Sequence, residues 1–464
     1  MTPAKRAHSW HLWIEYGFVL AILAAIGHMV WFFIEYGYLR QPFFYEPSGT
    51  WMDWFSLSRY GHQRGAYDVE LTIYPPLSFV LMKIFSIKQC YANNFSEQVR
   101  YCDWLGIVGL CGFYLLAVVM TFLHFRKVDR FTWIPRSIAV AFGFPMLYGF
   151  ERGNFVFIAF SFYIIAYGPL VHSARLRWLA AGMVVNLKVY MIAAVLAPLA
   201  KRRWMPVEGA LLATLGIYLI SWMIIGEGSP TQIVRNLVNY SSGFGAQRLL
   251  DMWFASSLVP IRTLMESEFP LYSAFSSAQV EAISVIAAAL TYITQGLAVT
   301  AVAATFLRPE VVPNHRVILF GAIVALSAKE AGGYTEVFLL MSIFMERWRG
   351  WARPTAIVLA YIACIPDDLI IPAGFPPLLR DSFLGGREVS AQFGIGALSL
   401  MRPVLIFTAC NCLAVVTLRA VWADIREQGW QSRWRFRRDW PLLPGIRRPR
   451  APLPGASAAQ SDGG

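Results

Sequence analysis

A lone acid among aromatic and basic side chains, Asp53 in Trp51-Met52-Asp53-Trp54-Phe55, is the first residue here whose surroundings suggest chemistry. The stretch continues through Arg59, Tyr60, His62, Arg64, Gly65 and Tyr67 to Tyr74-Pro75-Pro76-Leu77. It is too polar and aromatic to cross a bilayer, yet too apolar for a free loop. An acid held there can present a single carboxylate at a lipid–water boundary. It can equally be an interfacial partner of Arg59 or Arg64, a pairing of little worth. Lys188, midway along the apolar stretch 178–200, is the second candidate. A charge inside an apolar segment is costly and usually marks a pathway or a site, although a lysine can also snorkel to the interface. Further cations are Arg152 in Glu151-Arg152-Gly153-Asn154, Arg248 in Gln247-Arg248, and Lys329 in Lys329-Glu330-Ala331-Gly332-Gly333-Tyr334. Glu151 and Arg152 also suit a local ion pair at a helix start, and Arg248 suits a plain loop arginine.

Other chemistries lack their residues. Neither His62 nor His172 has a second histidine four residues on or a cysteine partner, so no zinc site is expected. Asp367-Asp368, after Pro366, reads either as a divalent-metal pair or as solvated acids at a helix end. The sequence has no glycine-rich phosphate loop and no Asp-x-Asp pair, which argues against a cytoplasmic nucleotide-sugar enzyme. Of six cysteines, Cys111, Cys364, Cys410 and Cys412 fall in apolar segments as packing residues. Cys90 and Cys102 flank a polar stretch, where a disulfide and two free thiols are both open. No metal and no cofactor is expected.

The elements that must position these residues are membrane helices. The 464 residues are 57% hydrophobic and only 15% charged, against about 25% charged in a soluble globular chain. Repeated apolar runs of about 20 residues make this an all-α polytopic membrane protein. The net charge of +12 sits at helix ends: Arg126-Lys127, Arg175 and Arg177, Lys201-Arg202-Arg203, Arg347, Arg349 and Arg353, and the run Arg419 to Arg450. Such clusters orient helices with their basic ends inside and do not suggest nucleic acid. Lys5 and Arg6 precede the first apolar run without a small-residue cleavage site, as in a retained helix.

Spans are expected at 12–34, 103–125, 132–149, 154–170, 205–226, 280–306, 355–372 and 396–420. Two amphipathic helices, 51–63 and 76–88, are expected in a first external loop covering 35–101. A single helix over 178–200 would strand Lys201-Arg202-Arg203 on the wrong side. Two half-helices of about 11 residues would each reach about 17 Å into a roughly 30 Å core, with Lys188 at the turn. The stretch 317–345 repeats the pattern around Lys329-Glu330. Counting each broken pair as two or as one gives about twelve or about ten crossings, with both termini inside. The membrane domain covers 1–425, followed by a basic tail, 426–464, expected to be disordered.

The order of these motifs resembles GT-C glycosyltransferases, and within them family 87 (DUF2029). That family includes the polyprenol-phosphate-mannose-dependent mannosyltransferases. The resemblance is carried by Asp53-Trp54-Phe55-Ser56-Leu57 with Gly65, Tyr67 and Tyr74-Pro75-Pro76-Leu77. It continues through Gly149-Phe150-Glu151-Arg152-Gly153-Asn154, then Gly182, Asn186-Leu187-Lys188-Val189-Tyr190 and Lys201-Arg202-Arg203-Trp204. It covers residues 10–250; Leu57 stands where the family has a second aromatic, and Lys329-Glu330-Ala331-Gly332-Gly333-Tyr334 replaces another family segment.

The resemblance implies a GT-C-like bundle in a bacterial plasma membrane, with its active site on the outer face. It further implies inverting transfer of a sugar, mannose by default, from a polyprenyl-phosphate donor to a lipid or glycan acceptor. Asp53 would be the general base and Lys188, Arg248 and Lys329 would hold the donor phosphate. Arg59, His62, Tyr74, Glu151, Arg152, Asn154 and Tyr190 would contact substrate. The partners implied are that donor, that acceptor and membrane lipids. One carboxylate suffices because a leaving phosphate needs no protonation, unlike the leaving groups that glycosidases handle with two carboxyl groups. The rival readings are a multi-pass transporter, which two lysine- or glycine-interrupted segments also suit, and an O-antigen ligase- or polymerase-like protein.

Overall fold

The computed structural model describes residues 9–43, 47–92, 96–243, 255, 275–327, 331–372, 376–392 and 394–430. Arg248, Lys329 and the tail from 431 lie outside the described residues. Helix α1 (Ser9–Tyr36) leads into a loop region that carries α2 (Met52–His62), α3 (Pro76–Ile84) and α4 (Ser96–Cys102). Then come α5 (Trp104–Val128), α6 (Trp133–Ala141), α7 (Phe144–Arg152), α8 (Val156–Tyr167), α9 (Ala174–Leu187) and the short α10 (Ile192–Leu196). The remaining helices are α11 (Trp204–Ile225), α12 (Pro230–Gly243), α13 (Ser277–Leu307), α14 (Asn314–Leu326), α15 (Glu336–Ile343), α16 (Ala352–Ala363) and α17 (Ala397–Gln428).

Five of these, α1, α5, α11, α13 and α17, are long and apolar enough to cross a membrane. Their outward faces expose Leu20, Leu23, Leu115, Leu215, Ile220, Val285 and Ile286, as contact with hydrocarbon requires. Shorter apolar helices, α8, α14 and α16 among them, complete the bundle.

Local chemistry sets the ends of these elements. Pro76 opens α3, where a first helical turn has no use for the missing N–H. Asp103 caps α5, accepting from the Gly106 amide at 3.0 Å. Its carboxylate also takes the Ile87 amide at 3.0 Å and the Tyr91 hydroxyl at 2.5 Å. Beside it, Cys90 and Cys102 form a disulfide, so the loop before α5 is tied down twice. The expected single span over 132–149 is instead broken between α6 and α7. A Cβ at Gly143 would lie 2.0 Å from the Ala139 carbonyl oxygen and 2.9 Å from Cys364, so α16 packs into the break.

Both interrupted stretches turn back within the bundle. Trp178 packs on Gly209, and Gly182 packs on Ala213 and Thr214, so α9 and α11 run parallel from one end. Asn186 donates to the Thr214 carbonyl at 3.0 Å along the same seam. Since α11 begins at Trp204, residues 189–201 must return to the level at which α9 started. The second stretch closes on itself: His315 and Arg316, in the first turn of α14, bond Glu346 beyond α15 at 2.8 and 2.7 Å. The two hairpins meet where Gly321 lies against the Ala193 carbonyl.

One face of the bundle therefore collects ion pairs. Glu15 of α1 lies fully buried against Arg136 (2.8 Å) and accepts from the Tyr361 hydroxyl at 2.7 Å. Arg136 also donates to the Phe344 and Glu346 carbonyls. Lys201 donates to the Val312 carbonyl and Arg202 to the Phe306 carbonyl, fixing the base of the first hairpin to the end of α13.

The span expected over 355–372 ends at Ala363, because Pro366 and two acids follow. Strand β1 (Ile370–Pro372) pairs antiparallel with β4 (Gly394–Gly396), and β2 (Leu378–Asp381) pairs with β3 (Glu388–Ala391). The final helix runs to Gln428, past the boundary expected at 425.

Glu346→Gln should leave Arg316 buried without a full counter-charge, costing about 3–5 kcal/mol. A lower melting temperature in detergent, with Arg353→Gln much milder because its contact is 3.5 Å and more exposed, checks this.

Candidate functional site

Two backbone corners create the site. Trp51, just before α2, takes a left-handed conformation (φ 62°), and its amide donates to the Glu151 carbonyl at 2.8 Å. A non-glycine residue held there costs roughly 1–3 kcal/mol, a strain usually found where surrounding structure over-determines the backbone. The opposing corner is Gly153 (φ 67°), which ends α7. A Cβ at Gly153 would lie 2.7 Å from the Trp51 Cα, so only glycine lets the two chains meet. Arg100 of α4 adds bonds to the Pro47 and Thr50 carbonyls, and the Thr50 hydroxyl reaches Glu151 at 3.5 Å.

This contact lays the first turn of α2 against the α7–α8 connection. Asp53 Oδ1 accepts from Arg152 at 3.3 Å, and Oδ2 accepts from the Asn154 amide nitrogen at 2.7 Å. The Asp53 side chain remains 22% exposed, against 11% for Arg152. Asn154 is fully buried, and its Oδ1 accepts from both the Val156 amide and Lys188 Nζ, each at 3.0 Å. Lys188 ends α9 in an extended conformation and is itself buried. Rings of Phe155, Tyr334 and Tyr74 surround its ammonium at 4.7, 5.0 and 5.4 Å, within cation–π range.

Tyr74 is held from the far side. Its carbonyl accepts from the Tyr67 hydroxyl at 2.8 Å. Asn236 of α12 bonds the Tyr67 and Thr72 carbonyls at 2.8 and 3.0 Å. Asp68 meets Gln232 and Arg235 at 2.9 Å each, and these bonds hold its exposed carboxyl below the usual range. Glu227 takes the Gly65 amide at 3.1 Å. Residues 65–74 are thus strapped to the segment after α11.

The structure brings together Asp53, Arg152, Asn154, Lys188 and Tyr74, with Tyr190 half-buried two residues beyond Lys188. Glu151 adjoins them but faces Thr50 and the Trp51 amide. Arg59 and His62 stand apart. Arg59 bonds Glu70 at 3.4 Å and lies over the Tyr60 ring. His62 is nine residues along α2 from Asp53, about 13 Å at helical rise, and bonds Ser86 at 2.7 Å. Burial, then Lys83 and Lys88, push its imidazole below the usual range, so it is neutral near pH 7.

Asp367 binds His28 at 2.9 Å, and Asp368 caps α17 through Leu398 and Ser399 while facing Arg402 at 3.6 Å. Both acids are engaged by protein groups, and among the described residues no cluster of metal-ligating side chains occurs. Sequence reasoning missed Phe155 and Tyr334 as walls around Lys188, and missed that Asn154 touches both charges. The signal available was Gly153, a glycine between an arginine and an asparagine at a helix end.

No family model matches the chain, and no curated protein or solved structure matches it either.

Gly153→Ala should separate the two corners, since the new Cβ meets backbone in a conformation that L-residues avoid. A loss of roughly 1–3 kcal/mol is expected, measured as a lower melting temperature beside an unaltered Gly112→Ala control, where nothing lies within 4 Å.

Proposed function

We propose that this chain is an integral-membrane glycosyltransferase of GT-C type. It moves a sugar, mannose on the resemblance, from a polyprenyl-phosphate donor to a hydroxyl of a lipid or glycan acceptor. The observation that carries the reading is the partly exposed Asp53 carboxylate, fixed by Arg152 and Asn154 next to a half-length helix ending in Lys188. The basic ends of both hairpins suit the cytoplasmic side under the positive-inside rule, with ten to twelve crossings and both termini inside. Asp53 then faces the outer side of a bacterial plasma membrane.

In the proposed reaction Asp53 takes the proton of the acceptor hydroxyl as its oxygen attacks the anomeric carbon. The bond from that carbon to the phosphate oxygen breaks, leaving polyprenyl phosphate, and the configuration inverts. Arg152 and Lys188 would stabilise charge growing on the phosphate, the effect that usually contributes most in such sites. The aromatic walls, Tyr74, Phe155 and Tyr334, suit stacking on a sugar ring. Transport remains the second reading, because two half-length hairpins also suit a midplane binding site.

Purified protein in vesicles, supplied with synthetic polyprenyl-phosphate sugars and candidate acceptor lipids, tests the proposal by mass spectrometry of the products. Asp53→Asn should lower transfer by about 10²–10⁴ with the protein still folded and donor binding retained, the melting temperature falling only as far as the lost partner of Arg152 requires. Unaltered transfer in that variant would overturn the role of Asp53. Solute flux without any glycosyl product would favour transport. Lys188→Met should raise the donor KM by at least about tenfold, the scale of a lost charge-assisted bond; an unchanged KM would remove Lys188 from the phosphate site.

A further inference from the structure

We infer that Asn154 is the positioning residue of Asp53, holding the carboxylate through an amide that cannot turn round. For its catalytic consequence this rests on the function proposed above. An asparagine side chain has one accepting end and one donating end. Here the accepting end already receives two donors, the Val156 amide and the Lys188 ammonium, both at 3.0 Å. A flipped amide would set its NH2 group against both of them. The donating end is therefore fixed toward Asp53 Oδ2, at 2.7 Å. Asn154 has no exposed surface, so water has no access to take over either bond.

Three consequences follow from that lock. Asp53 must accept at Oδ2. Its second oxygen, bonded among the described residues by the longer 3.3 Å contact to Arg152 alone, is the one left for an incoming hydroxyl. Lys188 also polarises the amide that it binds, strengthening donation at the far end. Asn154 is thus a bridge between a base and a cation, and its whole hydrogen-bonding capacity at the oxygen is taken by protein. It is a poorer candidate for holding sugar hydroxyls, the role the sequence resemblance implies.

Asn154→Asp isolates this role. It keeps shape, keeps an acceptor for Val156 and Lys188, and suits the turn before α8 as well as asparagine does. It removes the donor to Asp53, sets a second carboxylate against the first, and gives Lys188 a charged acceptor in place of a neutral one. The charged groups acting on Asp53 are Arg152, which bonds it, and Lys188, bridged to it by Asn154, with the Tyr334 and Tyr74 rings around that ammonium; Glu151 and Arg100 are engaged nearby at Thr50. None of these residues is substituted in the variant.

Expected for Asn154→Asp at pH 7 is a fall in kcat of about 10–100-fold, beyond any rise in donor KM caused by the new carboxylate meeting Lys188. The acid limb of the kcat/KM profile should move up by about one pH unit or more, as for two carboxylates sharing a site. Wild-type pH behaviour in this variant would reduce Asn154 to a turn-former and overturn the inference. A raised KM with unchanged kcat would make it a substrate ligand, with the same effect. A second readout needs no turnover. Infrared spectra of carboxyl-labelled protein, each taken as the difference from Asp53→Asn made in the same background, isolate the Asp53 carboxylate band. That band should shift in Asn154→Asp; an unmoved band overturns the inference. A shifted band in a protein that transfers no sugar would leave the positioning intact and remove the glycosyltransferase reading instead.

Discussion

Charge buried in a membrane bundle is costly unless it finds a partner inside the protein, and three such arrangements, beside pairs such as Arg402 with Asp368 and Arg308 with Asp424, organise the fold. An ion deprived of water loses several kcal/mol even after relaxation, and only a close, well-bonded counter-charge offsets that loss. Asp53, Asn154 and Lys188 form the most consequential of these arrangements, because they come from three segments separated by about a hundred and by thirty-four residues. Lys188 cannot lie where it does unless α9 stops there, and Asp53 cannot reach it unless α2 is laid on the α7–α8 corner. The left-handed Trp51 and the glycine opposite it are the local cost of that placement. The remaining two arrangements, Glu15 with Arg136 and Glu346 with His315 and Arg316, hold the opposite face.

The hairpins follow from the same constraint. A helix that carried Lys188 straight through would move Lys201, Arg202 and Arg203 away from the carbonyls of Phe306 and Val312 that now receive two of them. Glu346 likewise can meet His315 and Arg316 only if the chain between them reverses. Half-length helices are acceptable in a bilayer where other helices cover them, since irregular backbone at depth is tolerated inside protein. Glycines at 182, 209 and 321 allow that close cover, each against a neighbouring backbone or ring that leaves no room for a Cβ.

Much of this could be read from residue order. Apolar runs located four of the five long helices within about three residues at each end and the start of the fifth, which runs on to Gln428, and the position of basic clusters favoured broken over straight helices at 178–200 and 317–345. Asp53 and Lys188 stood out because charge is rare in such sequence. What could not be read were features set by contacts distant in sequence. The break at Gly143 depends on Cys364 packing into it, 221 residues on. The short strands between Ile370 and Gly396 are paired with each other across a region without periodic pattern. Arg59 and His62 looked like neighbours of Asp53 because they share α2, but helical rise and twist carry them toward Glu70 and Ser86. Asn154 entered as a substrate contact through the resemblance; its burial beside Lys188 is a property of the fold alone.

The proposed chemistry matches what one carboxylate can do. A single, partly exposed carboxylate bonded by two donors is poorly placed to protonate a leaving group. Such a site suits a reaction whose leaving group departs as an anion, as phosphate would in the proposed transfer. A site meant to cleave a glycosidic oxygen would need a second, neutral carboxyl near the first to protonate it. Glu151, the acid next to Arg152 in sequence, meets the Thr50 hydroxyl with its carboxylate, and its backbone carbonyl takes the Trp51 amide. A transport site, for its part, needs no fixed polarity along a bridge of base, amide and cation. The ordered direction of those bonds, from Lys188 through Asn154 to Asp53, is the feature that favours proton abstraction over simple binding.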